Sequence, residues 1–209
     1  KNASNCYLFT TSNIYTPGLV IRDLYLNCNG ANQSSGSGGG IDGRGCVWCN
    51  FEHLWIDTPY TNGILLQNDG TGNPGHHNTI DSCLFLNGKN AGAGASGYAL
   101  NLANADEAHI ANNTFQDNGI DTIGEPHQVF DQSGSNHFIG NTWVNGGSGV
   151  NGISVQGVGS TFVGNIFDGG SGNQVRVTRD LTTISGNRFF NIGSGASGSG
   201  KSGVYITPG

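Results

Sequence analysis

Ile110-Ala-Asn-Asn113-Thr-Phe115, Phe138-Ile-Gly-Asn141-Thr-Trp143, Phe162-Val-Gly-Asn165-Ile-Phe167 and Ile184-Ser-Gly-Asn187-Arg-Phe189 are one six-residue phrase written four times. Two large apolar residues stand five apart, with asparagine two before the second. The same apolar spacing extends upstream through Ile80/Phe85, Phe51/Ile56 and Ile21/Leu26. Successive second members are 30, 29, 30, 28, 24 and 22 residues apart. A period in this range with strand-forming residues signals a β-solenoid.

The position two before each second anchor reads Leu24, Leu54, Cys83, Asn113, Asn141, Asn165 and Asn187. Alternation places it on the same face as the anchor, toward the interior. Four successive asparagines there predict a buried ladder in which each amide bonds its counterpart about 4.8 Å away, one coil on. A second strand is expected in each coil, at Ile41, Ile64–Leu66, Tyr98–Leu102, Val129–Phe130, Ile153–Val155, Val175–Val177 and Val204–Ile206. The connections leading into it vary in length and carry glycine-serine runs such as Gly36–Gly40 and Gly193–Gly200. Because the repeat continues on both sides, these runs read as protruding loops rather than linkers. The fold expected is all-β: a right-handed parallel β-helix, a single-stranded solenoid of about seven coils. It forms one domain over residues 1–209, and with Lys1 first and no methionine it is expected to be part of a longer chain.

Composition agrees. Glycine supplies 37 of 209 residues and only 11% are charged, while hydrophobic residues reach 35%, enough for a core. The net charge of −6 argues against a nucleic-acid partner, which needs a basic face. No apolar run nears the roughly 20 residues of a membrane-spanning helix, so no membrane partner is expected. Five cysteines cannot all pair within one chain. Cys46-Val-Trp-Cys49 has no second such motif beside it, so buried thiols are the first reading and a disulfide with Cys28 the second.

The Asn-x-Phe phrases resemble those of the pectate-lyase-like β-helix superfamily over nearly the whole chain. That resemblance implies the fold, and a range of polysaccharide lyases, hydrolases, epimerases and phage tailspikes built on it. No catalytic signature of these groups is intact. Leu54-Trp-Ile-Asp57 is similar to the Trp-Ile-Asp-His strand of pectate lyases, but Thr58 replaces the histidine. Glu125-Pro-His127 is similar to the Asp-Pro-His of mannuronan epimerases, but Thr122 stands where a tyrosine is required.

The polar residues that the repeat leaves unexplained are Asp106, Glu107, His109, Glu125, His127, Asp131, His137, Arg176, Arg179 and Asp180. Glu125 and Asp131 are the acid/base candidates for glycosidic or lyase chemistry, with His127 as proton shuttle and Arg176 as carboxylate binder. Stacking would set the Asp131 and Arg176 columns about 10 Å apart. Trp48, Trp55 and Tyr60 are expected to be exposed, with Trp48 and Trp55 as a sugar platform or an interchain contact. His76 and His77, adjacent on extended chain, would point to opposite faces, so no metal site is expected. No cofactor is indicated, a divalent cation such as calcium included. The function expected is an extracellular or virion-associated protein that binds, and in a catalytic version cleaves, a surface or cell-wall polysaccharide, with a homotrimer as its assembly. The alternative is a non-catalytic fibre shaft or adhesin segment.

Overall fold

The computed structural model describes residues 6–11, 15–32, 38–70, 75–88, 98–118, 127–132, 134–144, 151–169, 172–179, 181–191 and 203–207. Among them the chain is all-β apart from one short 3-10 turn at Gly30–Asn32. Every strand pairing is parallel. One eight-stranded and two seven-stranded sheets each take a strand from successive repeats in strict order, and a two-stranded pair joins Thr16–Pro17 to Cys46–Val47. This regular stacking fits a β-solenoid.

Each repeat runs through the sheets in turn, as in Asn151–Val155 in the first, Thr161–Val163 in the second and Ile166–Asp168 in the third. The paired anchors of the sequence therefore belong to two strands, not one. Between them lies a two-residue corner whose first residue has a left-handed backbone: Asp23, His53, Ser82, Asn112, Gly140, Gly164 and Gly186, with φ between 51° and 66°. The ladder position is the second corner residue. Leu24 lines an apolar hollow with Leu19, Ile21 and Ile41, and is exposed there because the first repeat has a neighbour on one side only.

Three apolar columns meet inside. In the third sheet Phe85, Phe115, Trp143, Phe167 and Phe189 stack face to face, with neighbouring rings 4.5–5.0 Å apart. The second sheet contributes Phe51, Ile80, Ile110, Phe138 and Phe162, all fully buried. The first contributes Ile64, Leu100, Val129, Ile153 and Val175. At about 1.5–3 kcal/mol for each large side chain removed from water, these columns are the main favourable term in folding.

The asparagine ladder is present as read. The Asn113, Asn141 and Asn165 side-chain amides donate to Asn141, Asn165 and Asn187 Oδ1 at 2.9–3.1 Å. Each oxygen also accepts a backbone N–H from the preceding repeat, and each amide also donates to a backbone carbonyl. A second polar column, unforeseen, lies at the corner between first and second sheets. There Asn78 Oδ1 accepts from Cys49 N, and Asn136 Oδ1 from Ala108 N.

The five cysteines are free: Cys6 is exposed and Cys28, Cys46, Cys49 and Cys83 are buried. This is the first of the two sequence readings. Burial pushes the Cys28 and Cys83 thiols up to about 12.

Candidate functional site

Where the first-sheet strands end, one side chain per repeat comes to the surface at the same level. Gln132, Gln156 and Thr178 hold this position in register, since their backbone N–H groups donate to Leu102, Asp131 and Val155 O of the preceding repeats. With Asn104 and Arg179 they line a groove of about 680 Å³. Its walls are amides, a hydroxyl and one guanidinium, and none of these lining residues is a carboxylate. Such a surface can donate and accept hydrogen bonds at intervals of about 4.8 Å along the stack. Periodicity of the apolar anchors could not reveal it; only placing the ends of the first-sheet strands in register does.

The sequence candidates are scattered rather than gathered. Asp131 is fully buried: its Oδ1 accepts from Asn136 Nδ2 at 2.8 Å and its Oδ2 from Ser160 Oγ at 2.5 Å. It ties the first sheet to the second-column corner and presents no oxygen to solvent. Arg176 belongs to the alternate register, paired with Ser154 and Tyr205, while Asp131 pairs with Val155. Alternation puts the two on opposite faces of the sheet, so the expected Asp131–Arg176 pairing of columns does not form one site. Glu125 and Asp180 lie outside the described residues. Of His127 the structure describes only the backbone, in register with Asn151.

Trp48 and Trp55 are both exposed, as read, but on different parts of the repeat. Trp48 sits at the corner before the second-sheet strand Asn50–Glu52; Trp55 lies on the third sheet, edge-on to Tyr25 at 5.1 Å. Each makes its own aromatic surface. Tyr60, expected outside, is buried. His109 and His137 are register partners on the exposed face of the second sheet.

His76 and His77 do not splay to opposite faces. His77 adopts φ 54°, which breaks extended alternation, and the two rings stack at 4.8 Å. Trp48, His77 and Glu107 occupy equivalent left-handed corner positions in three consecutive repeats, with φ of 57°, 54° and 56°. The Trp48 and His77 N–H groups donate to His76 and Asp106 O of the following repeats. Their side chains consequently stack along one line. Trp48 lies on His77 at 4.1 Å, and His77 Nε2 is 3.0 Å from a Glu107 carboxylate oxygen. Asp106 beside them is held above the usual carboxylate range by burial and by the Glu107 charge, with His76 opposing that rise.

No protein-family model matches the chain, and no curated protein is detectably similar to it in sequence. Among solved structures the chain is similar to one described as Geobacillus virus E2 ORF18, with a TM-score of 0.60 and 11% identity. The match covers 99% of this chain and 45% of that one, so this chain spans less than half the length of its structural neighbour. At that identity the likeness speaks for the fold alone.

Proposed function

We propose that this chain is a right-handed parallel β-helix of the pectate-lyase-like kind, in an extracellular or virion-associated protein that binds a surface polysaccharide along the Asn104–Arg179 groove. Right-handed crossing is the overwhelming preference for parallel strands joined across a connection. The observation that carries the functional reading is the groove itself. Gln132, Gln156 and Thr178 offer one polar side chain per repeat in a straight line, an arrangement suited to a linear ligand rich in hydroxyls. Arg179 adds a planar cation matched to carboxylates, so acidic polysaccharides should be preferred. Binding is favoured over hydrolysis, because cleavage needs two carboxyl groups flanking the bond and the groove's described lining holds none. The phage origin of the structural neighbour is consistent with a virion setting.

The test is affinity electrophoresis through gels containing a panel of acidic and neutral polysaccharides. Wild-type protein should be retarded by at least one acidic polymer. A Gln132→Ala/Gln156→Ala/Arg179→Ala variant should run freely while melting at the same temperature. Free migration of the wild type through the whole panel would refute the reading and favour a structural shaft.

A further inference from the structure

We propose that His76, His77 and Glu107 form a binding site for a late first-row divalent cation, zinc foremost. This is independent of the polysaccharide reading. It rests on geometry at the corner between the first and second sheets. One ligand atom from each of the three side chains lies within 4.8 Å of the others. His77 Nε2 and Glu107 Oε2, 3.0 Å apart, can share one ion at zinc's bond lengths of roughly 2.0–2.2 Å. His76 completes the set by a rotation about its half-buried side chain, drawing in toward the about 3.4 Å spacing that those bond lengths imply in a tetrahedron.

The backbone prepares this arrangement. The left-handed φ at His77 turns two adjacent histidines toward one side, and the matching left-handed φ at Glu107 sets its carboxylate directly over His77 in the next repeat. Trp48, stacked on the other face of the column at 4.1 Å, restricts the His77 ring from below. Two imidazoles and one carboxylate suit zinc, nickel or copper, whereas calcium and magnesium want an all-oxygen shell. Three protein ligands leave a fourth position for water. An ion held here would clip the third repeat to the fourth, a bond across the stack where His77 and Glu107 otherwise form a half-exposed pair of little worth.

Trp48 supplies a built-in reporter. Titrating tag-free protein with copper(II) or nickel(II) should quench the Trp48 component of the fluorescence, and Trp48→Phe should remove that quenching. Calorimetry with zinc chloride should give one site per chain, weakened at least tenfold in His77→Asn and in Glu107→Gln. Zinc should raise the melting temperature of the wild type and leave those variants unmoved. Asparagine tolerates the left-handed backbone, so His77→Asn should keep its metal-free melting temperature. Should either variant melt early, His76→Ala, which leaves both left-handed residues in place, provides the same comparison. Absence of zinc and nickel binding at tenfold excess, or equal binding by wild type and all three variants, would overturn the proposal.

Discussion

Asn141 Oδ1 accepts two hydrogen bonds from Asn113, one from its backbone N–H at 2.9 Å and one from its side-chain amide at 3.0 Å. A single side chain thus serves the main chain and the ladder of a neighbouring repeat together. Removing it leaves the Asn113 N–H buried without a partner and takes the side-chain donor from the Ile110 carbonyl. An orphaned buried group costs roughly 1–3 kcal/mol. Asn141→Leu should therefore lower the urea midpoint severely, and Asn187→Leu, at a half-buried position, distinctly less. Equal losses at the two sites would disprove this account of the ladder.

Trp143 offers the opposite case. Its indole N–H is buried and has no acceptor among the described residues, while its stacking neighbours Phe115 and Phe167 are both phenylalanine. Trp143→Phe removes an orphaned donor along with some volume. The two effects oppose each other, so the change in stability should stay within about 1 kcal/mol, well under the 3–5 of a large-to-small core deletion. Thermal melts would settle it; a loss above about 3 kcal/mol would mean that the indole volume dominates.

Corner glycines are a matter of backbone alone. Gly164 has φ +66° and open space where a Cβ would sit. Gly164→Ala should cost about 1–2 kcal/mol by confinement to the left-handed region, and Gly164→Asn less. The reverse change, His53→Gly at φ 51°, should be neutral or stabilising by up to about 1 kcal/mol. Loss of stability in His53→Gly would show that its exposed pairing with Asp23 matters more than the corner geometry.

Thiol chemistry should follow burial. Ellman's reagent should find Cys6 quickly in the native protein and all five thiols only after unfolding. Cys28 and Cys83 are raised to about 12 by burial, from 9.0. A group whose native value is raised adds stability that is complete below the unfolded value and is lost as pH climbs past it. Stability should thus fall between about pH 9 and 12, and Cys83→Ala should flatten that alkaline branch in denaturation curves. A fall of the same steepness in the variant would assign the loss to other groups.

The inward positions were legible because burial repeats: an apolar or amide side chain is demanded wherever the stack closes on itself. The corners were not. A left-handed residue can be glycine, but here Asp23, His53, Ser82 and Asn112 take the same backbone through the constraint of the strands on either side. Without a compositional mark, the two-residue corner merged two strands into one in the sequence reading. The same blindness hid the His76–His77–Glu107 cluster, since alternation holds only while the chain stays extended. The groove was out of reach for a further reason. Gln132, Gln156 and Thr178 look like ordinary surface residues until the sheet fixes which of them share a level.

Corner and connection lengths differ in a way that bears on engineering. Between second and third sheets every repeat spends two residues, whereas the segment from third sheet to the next first-sheet strand ranges from four residues at 58–61 to thirteen at 191–203. One residue inserted after Gly164 would turn the strand that follows inside out. A peptide of a dozen residues spliced into one of the longer of these connections, rather than into 58–61 with its buried Tyr60 and Thr61, would leave every strand pairing where it is. The molecule is in this sense a rack with fixed shelves and one open side, ready to display a foreign epitope or enzyme loop at a chosen height.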